Sequence, residues 1–229
     1  MNSAAIDLHP RRDVHATARF NMVEGQVRTN RVTDERLLAA LSEIPRHMFV
    51  PPALAGVAYV DKCLRLSPDR YLMEPLFLAR LLQEATPSAS DSALVVGAGT
   101  GYAAAILAGL VASVVAVEGD GDLAGKARAN LGTLAIETVT VVGGPLDQGC
   151  PASAPYDVIL IDGMVDSVPD RIFDQLKEHG RLVTIVSREG RCGAGMLYQK
   201  LGGAVSGRAL FDASAPLLPG FAKQPVFEF

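Results

Sequence analysis

The stretch LVVGAGTGYAAAIL, Leu94–Leu107, decides how this chain folds. It starts as an apolar run, passes glycines at three alternate positions, Gly97, Gly99 and Gly101, and continues as an alanine-rich helical pattern. Glycines allow a tight turn and let the backbone approach a ligand closely, and the helix that follows points its free amides at that ligand. The stretch therefore predicts a strand, a turn and a helix that hold a nucleotide-like ligand.

Beyond this turn, apolar runs alternate with helical segments. Continuous Val, Ile and Leu runs are typical of parallel strands that helices cover on both faces, so we expect an α/β fold with a doubly wound, Rossmann-like sheet. The segments MLYQKL, GRALFD and PVFEF predict shorter, antiparallel strands that finish the sheet. The expected strands are 93–97, 113–118, 138–142, 156–162 and 181–186, and the expected helices are 101–110, 121–134 and 168–178.

The part of the chain before residue 91 has a different pattern. We expect residues 1–15 to form a disordered polar tail, 16–90 a helical region that covers the substrate and cofactor, and 91–229 the α/β domain. Within the helical region, Thr33 is the expected N-cap of one helix and Pro75 the first-turn residue of another.

Composition excludes several classes of function. The net charge is −4 and no long basic run occurs, so a nucleic-acid partner is not indicated. No apolar stretch reaches the roughly 20 residues of a membrane helix, and the three cysteines form no CxxC pair. We expect a cytoplasmic protein with reduced thiols and no metal site; the sequence does not determine the oligomeric state.

The glycine turn has three interpretations. A dinucleotide-binding turn requires a third glycine at position 102, which is Tyr102 here, so that interpretation is weak. A tight strand–helix turn without a ligand is the second interpretation. We favour a turn that binds S-adenosylmethionine, with its amino-acid moiety near the helix N-terminus. The residues expected to bind this cofactor are Gly97, Ala98, Gly99, Thr100, Gly101 and Tyr102.

Glu118 ends the next apolar strand, 17 residues after Gly101. Ligands of open α/β sheets bind at the carboxyl ends of the strands, and a carboxylate there can accept both ribose hydroxyls. We expect Glu118 and the adjacent Gly119 to contact the cofactor, rather than Glu118 being a solvated strand-end acid. Asp120 is the expected cap of the following helix.

Two further segments reach the same edge of the sheet. VVGGPLDQG is a glycine turn in which Gly143, Gly144 and Leu146 are expected to border the adenine, while Asp147 is either a contact or a solvated acid. The strand YDVILIDG places Asp162 at its carboxyl end. That residue either positions substrate or cofactor or is a strand-end acid bound to backbone amides. His179, which precedes a glycine, is an expected helix cap.

Two blocks of the sequence resemble protein-L-isoaspartate O-methyltransferases. They are VTDERLLAALSEIPRHMFVP, which is similar to the family's PR-x-x-FVP element, and residues 58–83, which align with its AY-x-D-x-PL-x-x-G-x-G-QTIS-x-P stretch. GAGTGYAAAILA, APYDVILID and GRLVTIV extend the likeness over about residues 20–187. FNMVEGQVRTNRVTDERLLAAL and FDASAPLLPGF are similar to a divergent bacterial subgroup.

The resemblance implies a class I methyltransferase sheet with a helical N-terminal attachment, S-adenosylmethionine as cofactor, and damaged protein as substrate. The family methylates the isoaspartyl carboxylate, and the ester then collapses to a succinimide. Such a transfer requires little acid–base chemistry, because a carboxylate is already nucleophilic and the sulfonium leaves as a neutral thioether. Alignment and desolvation supply most of the rate.

The sequence departs from the family at the recognition loop. Arg70, Tyr71, Leu72 and Met73 replace QTIS, and Gly144 replaces the usual adenine-side acid. We hypothesise that Arg70 supplies the cation for the substrate carboxylate, but the sequence slightly favours the alternative, a surface charge after a turn. We expect Met73 to pack against the methionine end of the cofactor. A methyltransferase with another acceptor, or a degenerate binding module, are the competing hypotheses.

Overall fold

A layer of short elements precedes the central sheet. The computed structural model describes residues 14–189 and 191–222. Val14 and His15, which the expected tail included, already belong to the first helix, and residues 1–13 lie outside the described part. The elements are α1 (Val14–Met22), a π-helical turn (Val23–Val27), a 3-10 turn (Arg28–Asn30), α2 (Glu35–Glu43), 3-10 turns at Arg46–Phe49 and Pro52–Val57, β1 (Leu64–Ser67), β2 (Arg70–Leu72) and α3 (Pro75–Ala85).

The start of α2 differs by one residue from the prediction. Asp34, not Thr33, is the N-cap, and its side chain accepts hydrogen bonds from the backbone N–H of Arg36 and Leu37 at 2.9 and 3.1 Å. A carboxylate is the stronger partner for the positive end of a helix, so the prediction of Thr33 was wrong. Pro75 is the first helical residue of α3, as predicted.

The hairpin of β1 and β2 was not predicted, since the sequence indicated a helical region there. The two strands are antiparallel, with Leu64 opposite Leu72 and Arg65 opposite Tyr71. Successive residues of a strand face opposite sides. Arg70 and Leu72 are accordingly buried, while Tyr71 between them is half-buried. The hairpin therefore directs the arginine inward.

The central sheet has seven strands in the order β5-β4-β3-β6-β7-β8-β9. The first five are parallel, and β8 and β9 are antiparallel, which confirms the α/β class. The strands are β3 (Ser92–Val96), β4 (Ser113–Glu118), β5 (Val139–Gly143), β6 (Tyr156–Val165), β7 (Leu176–Arg188), β8 (Arg191–Leu201) and β9 (Ala204–Asp212), and the intervening helices are α4 (Tyr102–Ala108), α5 (Gly121–Thr133) and α6 (Asp170–Phe173).

The register of β3 against β4 and β6 determines where the candidate site lies. Val96, the last residue of β3, lies opposite Val117 on β4 and Ile161 on β6. The residues that follow these three positions therefore meet at one edge of the sheet. Side chains of β3 alternate between two apolar cores, with Val95 in one and Leu94 and Val96 in the other. Both faces are covered, as the continuous apolar runs predicted.

The end of the sheet corrects three predictions. The helix expected at 168–178 is only Asp170–Phe173, because Leu176 already pairs with Tyr156 on β6. His179, expected as a helix cap, lies within β7 at a φ of 65°, where the strand bulges before Arg181 pairs with Val158. β8 and β9 are 11 and 9 residues long, not short. PVFEF lies outside the described residues.

The cap of α2 gives a first test. We expect Asp34→Ala to lower the free energy of unfolding by about 1 kcal/mol, because two amides of the helix lose their acceptor. Urea unfolding would measure the change. Thr33→Ala is the matched control and should stay within about 0.5 kcal/mol of the wild type, since the Thr33 side chain is exposed. Equal losses in both variants would contradict this assignment of the cap.

Candidate active site

The glycine turn lies between β3 and α4 at the carboxyl edge of the sheet. Gly97, Gly99 and Gly101 all have positive φ, at 80°, 56° and 98°. The first two face the site, whereas Gly101 faces α5, where a Cβ would approach Ala127 to 3.3 Å. The turn thus exposes two glycines toward the site and uses the third for helix packing.

Glu118 is bound to this turn by its carboxylate. The residue is 1% exposed. Its Oε2 accepts from the Gly99 N–H at 2.6 Å, and its Oε1 accepts from the N–H groups of Gly119 and Asp120 at 2.9 and 3.0 Å. Asp120 in turn caps α5, as predicted. Glu118 therefore lies where the sequence placed it, at the strand end beside the glycines.

Arg70 reaches Glu118 from the hairpin. Its Nη2 donates to Glu118 Oε2 and to the Gly97 carbonyl oxygen, both at 2.8 Å. The arginine is 5% exposed, so this is a buried ion pair and not a surface charge. Its Nε has no hydrogen-bond partner among the described residues. The interpretation of Arg70 as a solvated cation was wrong.

A cavity of about 600 Å³ opens beside this ion pair. Such a volume lies within the range of small-molecule sites, and the cavity is bounded by the strand ends of β4 and β5. Asp147, at its far wall, pairs with Arg171 at 3.3 Å. The lining residues are Ser67, Pro68, Asp69, Arg70, Glu118, Gly119, Asp120, Pro145, Leu146, Asp147, Pro219 and Gly220.

A second, much smaller pocket of about 10 Å³ adjoins Arg70. Met73, Asp162 and Leu218 line it together with Cys63. Burial raises the pKa of the Cys63 thiol to about 11, so it stays protonated near neutral pH. Arg70 lines both pockets, as does the neighbouring Asp69.

Asp162 is a buried carboxyl group in the small pocket. Its Oδ1 accepts no hydrogen bond from the described residues, so the expected alternative of a carboxylate fully bound to amides does not hold for that atom. Burial raises the pKa of Asp162 to about 7, although the cations of Arg70 and Arg46 oppose the increase. The group therefore titrates near neutrality.

Arg46 is a site residue that the sequence reasoning missed. It is fully buried, and its guanidinium donates to the carbonyl oxygens of Ala58 and Met73 at 2.7 and 2.6 Å. The group also lies 4.8 Å from the centroid of the Tyr102 ring. The signal that could have identified Arg46 is an arginine within the otherwise largely apolar segment PRHMFVP.

The segment 215–220 was also missed. A Cβ on Gly97 would lie 3.0 Å from Leu218 Cδ1 and 3.2 Å from Arg70 Nη2, and a Cβ on Gly99 would lie 3.0 Å from Leu66. These three side chains therefore cover the glycines. In the sequence, FDASAPLLPGF showed only a similarity to a subgroup of the family. Its leucines follow the strands of the sheet along the chain, and no local pattern indicates that they fold back over the glycine turn.

Of the remaining residues predicted to contact the cofactor, some lie at the site and others pack in the core. Gly119 and Leu146 line the large cavity, and Gly144 donates its N–H to the Glu118 carbonyl oxygen at 3.1 Å. Thr100 instead donates its hydroxyl to the Phe49 carbonyl oxygen, and the Tyr102 ring is fully buried. Their side chains are used for packing, so only their backbone can face a ligand.

No metal or membrane feature occurs in the part of the chain described. Within residues 14–189 and 191–222, no group of three or more His, Cys, Asp or Glu side chains is placed to hold a metal ion. Over the same residues, no helix combines the length and the apolar character that a membrane span requires.

Comparison with known proteins identifies the family. The family model of protein-L-isoaspartate (D-aspartate) O-methyltransferases matches residues 18–211. A protein-L-isoaspartate O-methyltransferase of Methanoregula boonei is 40% identical over 178 residues, which are 78% of this chain and 80% of the relative. A second, of Methanoculleus marisnigri, is 40% identical over 185 residues, 76% of this chain and 84% of the relative.

Solved structures agree with this. A protein-L-isoaspartate O-methyltransferase superposes with a TM-score of 0.77 at 27% identity, over 88% of this chain and 66% of the other. A Plasmodium falciparum protein solved with S-adenosyl-L-homocysteine superposes with a TM-score of 0.75 at 17% identity, over 89% of this chain and 97% of the other, which supports the fold alone.

Asp162 predicts a pH-dependent stability. Its pKa is raised from 3.8 in the unfolded chain, so the folded state binds the proton more tightly and the free energy of unfolding falls as pH rises from about 4 to 7. We expect Asp162→Asn to raise the melting temperature more at pH 8 than at pH 5, because the amide cannot ionise.

Thermal unfolding across this pH range would measure the difference, with the exposed Asp122→Asn as control. If Asp162→Asn changed the melting temperature by the same amount at every pH, this would contradict a buried carboxyl group that titrates in this range.

Proposed function

Since the chain belongs to the protein-L-isoaspartate (D-aspartate) O-methyltransferase family, we propose that it transfers a methyl group from S-adenosylmethionine to the free carboxylate of isoaspartyl residues in damaged proteins. The observation that carries the proposal is Glu118, a carboxylate held against the glycine turn at the mouth of a nucleoside-sized cavity. The family uses this cofactor, and a relative in fold binds its demethylated product.

The residues of the large cavity fit the adenosine part of the cofactor. Glu118 provides a carboxylate that can accept ribose hydroxyls once one of its present donors is displaced, and Leu146 and Gly119 supply an apolar wall for a base. The methionine part fits less directly, because Leu218, Leu66 and Arg70 cover Gly97 and Gly99. These are side chains of the β1–β2 hairpin and of the loop after β9, not backbone of the central sheet, so they can move without altering that sheet.

The proposal places the methyl acceptor at the small pocket, which Met73 and Asp162 line. At about 10 Å³ this pocket has room for about one water molecule, so it has to widen before an acceptor enters. When bound, S-adenosylmethionine supplies an electrophilic methyl group on a sulfonium. The acceptor carboxylate is already nucleophilic, so the chain needs no general base. Its residues instead exclude water, through Met73 and Leu218, and orient the acceptor against the cofactor, which is the main source of rate in such a transfer.

Buried acids favour a cationic ligand here. Glu118 and Asp162 are both buried; Glu118 pairs with Arg70, and Asp162 lies near both Arg70 and Arg46. In a low dielectric, an ionised Asp162 balances these two cations and leaves the region more favourable for an additional positive charge than a protonated Asp162 does. Asp162 therefore favours the charged donor, and its raised pKa makes that contribution larger above pH 7 than below it.

Glu118 tests the binding of the cofactor. We expect Glu118→Gln to weaken the binding of S-adenosyl-L-homocysteine tenfold to a hundredfold, since a hydrogen bond to a charged group contributes about 1.5–3 kcal/mol. Isothermal titration calorimetry would measure the dissociation constants. Glu137→Gln, an exposed glutamate outside the site, is the matched control and should bind as the wild type does. Equal affinity in Glu118→Gln and wild type would remove Glu118 from the ribose site.

The acceptor is tested with paired peptides. We expect the chain to methylate an isoaspartyl peptide and not the aspartyl peptide of the same sequence, and to form a base-labile ester that releases methanol. Methyl transfer only to acceptors other than isoaspartyl groups, or no transfer despite cofactor binding, would overturn the proposed substrate.

A further inference from the structure

The carboxylate of Glu118 has no free hydrogen-bonding capacity in this structure. A carboxylate offers about four lone-pair positions. Four donors occupy them: the N–H groups of Gly99, Gly119 and Asp120, and Nη2 of Arg70. A ribose diol cannot bind to Glu118 unless one of these donors leaves.

Arg70 is the donor that can leave. The three others are backbone amides, and the turn that carries Gly99 is fixed to β4 by the N–H groups of Gly97 and Ala98, which both donate to the Val117 carbonyl oxygen. Arg70 is a side chain on a short hairpin whose tip residue, Asp69, is exposed. Its buried Nε also lacks a partner among the described residues, so its present position satisfies the guanidinium incompletely.

The position of Arg70 decides where the displaced group goes. The residue lines both the large cavity and the small pocket that contains Met73 and Asp162. A guanidinium that leaves Glu118 is therefore still beside the place of methyl transfer. A planar guanidinium binds a carboxylate with two parallel hydrogen bonds, which neither Met73 nor Leu72 can provide.

We propose that Arg70 is a cofactor-released ligand for the acceptor: ribose displaces it from Glu118, and the freed guanidinium then binds the carboxylate to be methylated. This rests on the proposed function. It makes binding ordered, because the acceptor site forms only after the cofactor has bound. It also gives the altered recognition loop a partner for the acceptor in place of the hydroxyls that the family carries there.

Calorimetry with the full chain tests this through the coupling between two ligands. In the wild type, saturating S-adenosyl-L-homocysteine should strengthen the binding of an isoaspartyl peptide at least fivefold, and the peptide should strengthen the binding of the cofactor product by the same factor, since coupling is reciprocal. In Arg70→Met, the cofactor product should bind at least tenfold tighter than to the wild type, because no ion pair must break. The coupling factor should fall to about 1.

Arg208→Met is the matched control, since Arg208 forms an exposed ion pair with Glu84 at 3.0 Å far from the site; it should keep wild-type affinities and coupling. Arg70→Lys is the second variant if Arg70→Met does not fold, because it keeps the charge beside Glu118 but cannot bind a carboxylate with two parallel bonds. Its coupling should be reduced.

Any one of three results would overturn the proposal. The first is that Arg70→Met binds the cofactor product no more tightly than the wild type, and the second is that the coupling persists in Arg70→Met. The third is that the coupling in Arg70→Lys equals that of the wild type. Each of them would leave Arg70 as a structural partner of Glu118. A wild type that does not bind S-adenosyl-L-homocysteine would instead contradict the proposed function itself, so the two failures are distinguishable.

Discussion

The buried carboxylate of Glu118 is the interaction on which the site depends. It joins the end of β4 to the glycine turn through Gly99 and to the hairpin through Arg70. An ionised carboxylate in the interior is costly unless all its acceptor positions are used, and here they are. The same hydrogen bonds hold the glycine turn and the hairpin against the end of β4.

Buried charged side chains are concentrated near the small pocket. Arg46 is fully buried and Asp162 nearly so, and burial lowers the pKa of Arg46 while it raises that of Asp162. The hydrogen-bonding capacity of these two groups is only partly used, because Asp162 Oδ1 and Arg46 Nη1 have no hydrogen-bond partners among the described residues. Incompletely satisfied polar groups of this kind are typical of a binding site rather than of a core built only for stability.

Much of the fold and half of the site could be predicted. The parallel strands follow from apolar runs, and Glu118 ends β4 as predicted. Asp162, expected at the end of its strand, lies instead within β6, which continues to Val165, at the irregular pairing between Leu160 and Met164. The hairpin 64–72 was not predicted because its strands have only four and three residues, too few for the alternation in LRLS to be distinguished from the surrounding helical pattern. The helix at 168–178 failed because the pairing of Leu176 with β6 overrides its helical pattern. The burial of Arg70 and Arg46 likewise depends on contacts distant in sequence.

The sequence by itself determined the α/β class, the glycine turn, the acid that faces it and the family, because each follows from residues close together or from their order along the chain. Only the tertiary structure decided which side chains cover that turn. Arg70, Leu66 and Leu218 come from a hairpin and a C-terminal loop that reach the glycines through space, and sequence spacing carries no record of that approach. The tertiary structure alone therefore shows that Arg70 pairs with the carboxylate expected to bind ribose.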